Sequence, residues 1–258
     1  MTRRPTPAEA PLAAAAPAAV WRAWLRRLTA NARARLARAS LLLAGVLLFT
    51  TIALWVFGDL ASGAGAPQAH AFDDHVLALI RQRPSPVLDG AARVFSWLGA
   101  EAIALLLVAL LAGFAWQRRW GAAVSLLLVT GGAQQLNNAL KDHFQRLRPA
   151  PVTSLIPAQA LSFPSGHAMV AAAFYLFLAY LSWRLFRGWT RAVCAALLVA
   201  LVLGIGMARL YLGVHYPTDV VAGYAAGAAW TEAVVLAGRL LATRSGKASE
   251  RVKPWDGC

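Results

Sequence analysis

Long apolar runs alternate with short charged groups along the chain from about residue 38 onward. Cutting the sequence at the charged residues leaves six runs close to the roughly 20 residues that a helix needs to cross a bilayer. These runs cover approximately residues 39–58, 102–117, 120–140, 167–183, 192–208 and 219–238. The pattern predicts an all-α polytopic membrane protein built as a six-transmembrane-helix bundle.

The segment between the first two spans has a different pattern. Residues 71–98 place apolar side chains at helical spacing but contain Pro84 and Pro86. Because proline interrupts a helix, we expect one or two short helices here, lying at the outer membrane interface and broken near the prolines.

The first span follows a basic leader and precedes small residues, which loosely resembles a cleavable signal peptide. Its apolar stretch is longer than the ~7–15 residues of a signal sequence, and this predicts an uncleaved span. The chain then divides into a basic cytoplasmic N-terminal arm over residues 1–38, a six-span membrane domain over 39–241 and a basic cytoplasmic tail over 242–258.

The distribution of positive charge predicts the orientation. The chain has 25 lysines and arginines against 11 acidic residues. Most of these cations lie before the first span, between spans two and three, between spans four and five, and after the sixth, which is one side of a six-span bundle. The positive-inside rule makes that side cytoplasmic. We therefore expect a multi-pass protein of the cell (inner) membrane with both termini in the cytoplasm.

Composition narrows the classes of partner and cofactor. Hydrophobic residues make up 59% of the chain and the mean hydropathy is +0.55, which argues against a soluble globule. The cations form no stripe with aromatic residues, so no nucleic-acid partner is expected. Two cysteines and five histidines show none of the spacings of a metal site, and we expect neither a metal nor another cofactor.

Polar residues that could form a site lie at the outer ends of the spans. Lys141 and Arg148 are seven residues apart, which would place both on one side of a helix that Pro149 ends. His143 and Arg146 lie between these cations, where they either line the entrance of a site or face water. Amide side chains near the end of the same span are expected to hydrogen-bond neighbouring helices.

A second polar segment, Phe163-Pro164-Ser165-Gly166-His167, opens the fourth span. Proline followed by serine predicts a helix start with Ser165 as its N-cap. Free backbone N–H groups and the helix dipole make such a start an anion site. Gly166 would let the anion approach the backbone closely.

The third segment contains Arg209, His215 and Asp219, at the end of the fifth span and the start of the sixth. In the predicted topology all three segments lie at the outer face. A lone histidine there is typically a hydrogen-bonded structural residue. Two histidines, three cations, a helix start and an aspartate at one face are difficult to explain by packing, and they indicate an anion-binding catalytic site.

These segments resemble the type-2 phosphatidic acid phosphatase family, the membrane branch of a superfamily that includes vanadium haloperoxidases and bacterial class A acid phosphatases. The family's motifs are Lys-x6-Arg-Pro, Pro-Ser-Gly-His and Ser-Arg-x5-His-x3-Asp. The chain matches them except at Ala208, which stands in place of the motif serine and removes one hydroxyl near the phosphate. The matched positions are Lys141, Arg148 and Pro149; Pro164, Ser165, Gly166 and His167; and Arg209, His215 and Asp219.

The resemblance implies a metal-independent phosphatase acting on a phosphorylated lipid. His215 would attack phosphorus and form a phosphohistidine, Asp219 would hold its ring, and His167 would act first as general acid and then as general base. The remaining motif positions would bind phosphate: Lys141, Arg148, Ser165, Gly166 and Arg209.

Other functions use the same features. A vanadium haloperoxidase would share the pocket, a lipid-linked phosphotransferase would pass the phosphate to another acceptor, and a transporter could carry intramembrane charges and broken helices. The motifs recognise phosphate rather than the lipid. They leave phosphatidic acid, phosphatidylglycerol phosphate, undecaprenyl pyrophosphate and lipid A open as substrates, and they do not address the oligomeric state.

Overall fold

The computed structural model describes residues 50–63, 67–81, 85–149 and 161–244, together with Gly45 and Leu48. These ranges contain helices and a single isolated bridge between Leu147 and Leu161, and no strand, so the predicted all-α class is confirmed. The helices are α1 (residues 50–63), α2 (Pro67–Arg81), α3 (Pro86–Leu98), α4 (Glu101–Trp116), α5 (Trp120–Phe144), α6 (Gly166–Leu185), α7 (Gly188–Tyr211) and α8 (Pro217–Arg244).

Four helical segments of the described chain are long and apolar enough to cross a membrane. They are Pro86–Trp116, Gly166–Leu185, Gly188–Tyr211 and Pro217–Leu241. Helix α5, the predicted third span, has 25 residues but is less apolar because it carries four side-chain amides. The predicted first span lies partly outside the described residues. The N-terminal arm over residues 1–38 and the tail beyond residue 244 lie wholly outside them. The count of six spans therefore stays a prediction.

The helices extend beyond the predicted spans. Helix α7 covers Gly188–Tyr211, whereas the prediction limits it to 192–208. The prediction ends each span at a charged residue, but the structure keeps Arg191 and Arg209 helical. A long cationic side chain near a helix end can extend away from the apolar region without unwinding the backbone, and charge therefore marks a span end too early.

The segment after α1 forms two helices, as predicted, with the break between Arg81 and Pro86. Pro86 lies at the start of α3, where its missing N–H costs no hydrogen bond. Helix α3 differs from the predicted interfacial helix, because a short turn at Gly99 joins it to α4 and the combined segment is long enough to span. A side chain at Gly99 would collide with α7, since its Cβ would lie 2.6 Å from Cγ2 of Ile205.

Helix α6 forms the centre of the packed core. Its alanines at 171–173 are fully buried, and small residues let neighbouring backbones approach closely. Helix α8 lies against α6 through Gly223, where a Cβ would be 2.8 Å from the Ser165 carbonyl oxygen. The Thr231 hydroxyl donates to the Ala173 carbonyl at 3.1 Å. These contacts fix the relative position of the two helices that begin at the predicted site.

Candidate active site

A cavity of about 550 Å³ lies at the end of the bundle where α5 and α7 end and α6 and α8 begin. Helix α4 and the middle of α5 supply an additional wall, which includes the apolar side chains Ile103 and Leu107. Five of the eight predicted site residues line this cavity. They are Lys141, Arg148, Gly166, His167 and His215.

Lys141 and Arg148 converge in a way that the sequence did not predict. Helix α5 ends well before Pro149, with Gln145 in the left-handed conformation at φ 48, so Arg148 lies on the following extended segment rather than on a helix face shared with Lys141. The Lys141 Nζ atom donates to the Leu161 carbonyl at 3.1 Å, and Arg148 Nε donates to the same oxygen at 3.4 Å. One carbonyl thus holds both cations at the cavity wall.

Ser165 is the N-cap residue of α6, as predicted, but its side chain makes no cap hydrogen bond. Its backbone N–H donates to the Asp219 carbonyl at 3.0 Å and is therefore unavailable to an anion, so the anion site predicted at this helix start lacks the Ser165 amide. The Gly166 N–H belongs to the first helical turn, which has no intrahelical acceptor. Ser165 offers its hydroxyl instead.

Gly166 makes room for an amide of the protein. A Cβ at this position would lie 2.9 Å from Oδ1 of Asn137. Asn137 is buried, and its amide donates to the Pro164 carbonyl at 3.2 Å and to Sδ of Met169 in α6 at 3.6 Å; the second contact is the expected bond to a neighbouring helix. Gln134 instead bonds Asn138 within α5. Asn137 therefore fixes the turn that presents the start of α6 to the cavity.

His215 lies in the α7–α8 connection and is almost completely buried. Its Nδ1 atom is 3.5 Å from Oδ2 of Asp219, which is long for a hydrogen bond but places the carboxylate beside the ring. The Tyr216 N–H donates to the same oxygen at 2.9 Å. Burial lowers the pKa of His215 to about 4, although the nearby Asp219 carboxylate acts in the opposite direction. The imidazole is therefore neutral at neutral pH.

Arg146 is a buried residue of the site that the sequence left undecided. Its two terminal nitrogens each contact a carboxylate at 2.7 Å, one on Asp219 and the other on Asp73 of α2. The guanidinium also lies over the Tyr216 ring, 4.2 Å from its centroid. Arg146 neither lines the entrance of the cavity nor faces water, because it is buried and binds the Asp219 carboxylate. His143 is exposed, in agreement with the alternative that it faces water.

Asp73 completes this network and was missed. Its carboxylate is fully buried and accepts the Thr218 N–H at 3.1 Å and the Thr218 hydroxyl at 2.6 Å. The sequence does contain a signal, because Asp73 shares the spacing of Leu77 and Ile80 and so lies on the apolar face of α2. A carboxylate on such a face needs a buried partner.

Arg209 lies in the last turn of α7 and is buried. Its Nη1 atom donates to the Ser96 hydroxyl of α3 at 2.6 Å. Ala208, which replaces the motif serine, is also buried and offers no hydroxyl. Ser96 therefore supplies Arg209 with a hydroxyl partner from another helix, and no sequence signal distinguished this serine.

Four buried polar atoms around the cavity have no hydrogen-bond partner within the described ranges. They are Thr130 Oγ1, Ser165 Oγ, Arg209 Nε and His215 Nδ1. Ser165 Oγ and Arg209 Nε can donate to an anion, and the adjacent cations Lys141 and Arg148 would neutralise its charge. The described residues contain no group of three or more His, Cys, Asp or Glu that could hold a metal ion. The arrangement suits a multiply charged oxyanion.

These features define a class of protein: an all-helical chain with several apolar helices and a buried cationic pocket that contains two histidines. Residues 122–240, which carry all three motifs, match the sequence model of the PAP2 superfamily. The chain belongs to this superfamily, and it is a multi-pass membrane protein and a phosphatase.

Similarity to characterised proteins extends beyond the motifs. The chain is 34% identical over 152 residues to phosphatidylglycerophosphatase B of Bacillus subtilis, covering 58% of this chain and 73% of that protein. It is 30% identical over 170 residues to undecaprenyl-diphosphatase of Sulfolobus acidocaldarius, covering 63% and 77%. The crystal structure of a transmembrane PAP2 type phosphatidylglycerolphosphate phosphatase from Bacillus subtilis superposes with a TM-score of 0.67 at 27% identity, covering 74% of this chain and 96% of that one.

Proposed function

We propose that this phosphatase releases phosphate from a lipid phosphomonoester or diphosphate, with His215 as the nucleophile and a phosphohistidine as the intermediate. The observation that carries the proposal is the convergence of His215, His167, Lys141 and Arg148 on one cavity. Phosphoryl transfer requires positioning and neutralisation of charge on the phosphoryl oxygens, and this set of side chains can supply both.

In the first step, Nε2 of His215 attacks phosphorus. This nitrogen carries the free lone pair because Nδ1 faces Asp219, and burial keeps the ring neutral. The N–P bond forms as the P–O bond to the leaving group breaks, and His167, protonated beside the bound phosphate anion, gives that proton to the leaving oxygen. Asp219 stabilises the positive charge that develops on the His215 ring.

In the second step, a water molecule attacks the phosphorylated imidazole. His167, now neutral, takes a proton from that water as its oxygen bonds to phosphorus. The N–P bond breaks, its electron pair returns to Nε2 of His215, and inorganic phosphate leaves. Lys141, Arg148 and Arg209, with the Ser165 hydroxyl and the Gly166 N–H, bind the phosphoryl oxygens in both steps.

The proposed substrate has an apolar chain attached to the phosphate. Ile103 and Leu107 of α4 and Val170 of α6 line the cavity together with the cations, which allows one pocket to hold a headgroup and the beginning of a hydrocarbon chain. The relatives named above act on phosphatidylglycerophosphate and on undecaprenyl diphosphate. We place the substrate of this chain among lipid phosphates of these two kinds or phosphatidic acid.

The proposed topology has six spans, cytoplasmic termini and an active site that faces the periplasm or cell exterior. Support comes from the end of the bundle opposite the cavity. Exposed tryptophans there flank the α4–α5 and α6–α7 connections, at Trp116, Trp120, Trp183 and Trp189. Arginines accompany them in both connections. Tryptophan belts mark membrane interfaces and arginine-rich loops mark the cytoplasmic one, which supports a cavity on the opposite side.

Phosphate release by the purified full chain tests this function. We expect release in detergent micelles from at least one of phosphatidylglycerol phosphate, phosphatidic acid and undecaprenyl pyrophosphate, and we expect EDTA to leave the rate unchanged because fixed cations neutralise the phosphate. Release from none of these lipids, or release only with an added metal ion, would contradict the proposal. Transfer of phosphate to a second lipid without release into water would indicate a phosphotransferase.

The Arg209–Ser96 contact leads to a separate prediction. We expect Ser96→Ala to lower kcat/KM about 10-fold, because Arg209 loses its hydrogen-bond partner and with it a fixed orientation toward the phosphate. The matched control is Ser125→Ala, a serine of α5 at the far end of the bundle, which should leave kcat/KM unchanged. Equal kcat/KM values for the two variants would show that Ser96 does not position Arg209.

A further inference from the structure

A second cavity lies at the other end of the bundle, between α5, α6 and α8, with a volume of about 790 Å³. Its lining includes Tyr180 and Arg184, which are 14 and 18 residues along α6 from Gly166. At 1.5 Å per residue these side chains lie roughly 21–27 Å from the catalytic cavity. The two cavities share no lining residue.

The walls of this second cavity are mostly apolar. Leu128 of α5, Leu181 of α6 and Val234 of α8 contribute to them, and Trp120 lies at the rim. Leu128 and Trp120 are both more than half exposed, so the cavity opens toward the apolar outer surface of the helices. In a membrane this surface faces lipid, and a hydrocarbon chain can enter the cavity from the side.

Two arginines meet at one end of the cavity. Arg184 Nη1 donates to the Tyr180 hydroxyl at 3.0 Å, and Arg239 Nε approaches the same oxygen at 3.5 Å. Both guanidinium groups also face the Tyr180 ring, at 5.8 and 5.1 Å from its centroid. Two cations thus share one neutral phenol.

No carboxylate balances these charges in the part of the chain that the structure describes, where the ion pairs involve only Arg146 and His215. The two guanidinium groups repel each other, and an anion placed between them would be attracted to both. A phosphate diester carries a negative charge that both guanidinium groups attract, and its oxygens can accept hydrogen bonds from them and from the phenolic O–H.

We propose that this cavity binds an anionic phospholipid of the surrounding membrane, with its phosphate between Arg184 and Arg239 and one acyl chain along the apolar wall. The apolar wall favours a lipid over free phosphate, because only a lipid carries a hydrocarbon chain that can pack against it. The site uses no residue of the catalytic cavity, so it is independent of the proposed function and the bound lipid is not hydrolysed there.

Native mass spectrometry of the purified full chain tests the proposal, with phosphatidylglycerol, phosphatidylcholine and inorganic phosphate as probes. We expect phosphatidylglycerol to bind in preference to the other two. The double variant Arg184→Gln/Arg239→Gln should bind phosphatidylglycerol about 10- to 30-fold more weakly, since each arginine near the membrane surface contributes about 1 kcal/mol toward an anionic lipid.

A matched control removes the same charge from the same end of the protein. Arg187→Gln/Arg191→Gln alters two arginines that do not line the cavity, and it should retain binding. A further variant, Ala237→Trp, fills the cavity at an exposed lining position while keeping both cations, and it should lose binding. All variants should release phosphate from substrate like the parent protein, which separates this site from the catalytic one.

Three results would overturn the proposal. The first is equal phosphatidylglycerol affinity for the parent protein and Arg184→Gln/Arg239→Gln. The second is an equal loss in the Arg187→Gln/Arg191→Gln control, which would indicate a general effect of surface charge. The third is evidence against an acyl chain in the cavity, which would be either unchanged binding in Ala237→Trp or inorganic phosphate bound as tightly as the lipid.

Discussion

Replacing His215 with alanine is expected to reduce phosphate release by at least about 10³-fold, because the variant has no nitrogen to accept the phosphoryl group. The other cationic and hydrogen-bonding groups of the cavity remain, so substrate should still bind and KM should change little. The measurement is steady-state phosphate release by purified variants on the lipid that the parent protein cleaves best, with the melting temperature recorded to show that the fold is retained.

The chain offers a matched control for this substitution. His143 is exposed and lies two residues from Lys141, so it belongs to the same end of the protein without lining the cavity. His143→Ala should release phosphate at the parent rate. Comparable activity in His215→Ala and His143→Ala would exclude His215 as the nucleophile.

The largest effect on stability is expected from Arg146→Met. The Arg146 guanidinium contacts the buried carboxylates of Asp73 and Asp219, each at 2.7 Å, and this change removes both contacts. Loss of one partner from a buried ion pair costs about 3–5 kcal/mol, because the remaining charge stays buried without an opposite charge beside it. We expect a large fall in the melting temperature and also a lower kcat, because Asp219 is no longer held beside His215.

Two comparisons make the Arg146 prediction specific. Arg93→Met alters an exposed arginine of α3 and should leave the melting temperature unchanged. Adding Asp73→Asn to Arg146→Met removes one of the uncompensated charges and should recover part of the lost stability. Equal melting temperatures for Arg146→Met and Arg93→Met would refute a stabilising role of Arg146 between the two carboxylates. A double variant less stable than Arg146→Met alone would refute it as well.

Much of the fold follows from local properties of the sequence. The apolar runs at 102–117 and 167–183 correspond closely to α4 and α6, because each run is itself one helix. Charge is a poorer guide to where a helix ends, and α7 and α8 extend past the predicted limits for this reason. The turn at Gly99 was not predicted, because it depends on contact with Ile205 of another helix.

Only part of the candidate site could be predicted, because the rest depends on contacts between distant parts of the chain. Consecutive spans cross the membrane in opposite directions, so the end of one span and the start of the next lie at the same face. The grouping of Lys141, His167 and His215 could therefore be derived from the topology. The role of Arg146 could not, since it depends on a contact with Asp73, which lies 73 residues away in the chain. Spacing also suggested a shared helix face for Lys141 and Arg148, whereas the chain brings them together after the helix has ended.

The central claim is that phosphate becomes bonded to His215 during turnover. With a diphosphate lipid as substrate, His167→Ala should accumulate this intermediate. The phosphate leaving group departs without a general acid, whereas the water that removes the phosphate from His215 lacks its general base. Mass spectrometry of peptides from this variant, digested in alkali after brief exposure to substrate, locates the phosphate directly. We predict phosphate on the peptide that contains His215 and none in the His215→Ala/His167→Ala variant. Phosphate on any other residue, or rapid turnover with no covalent phosphate, would contradict the account.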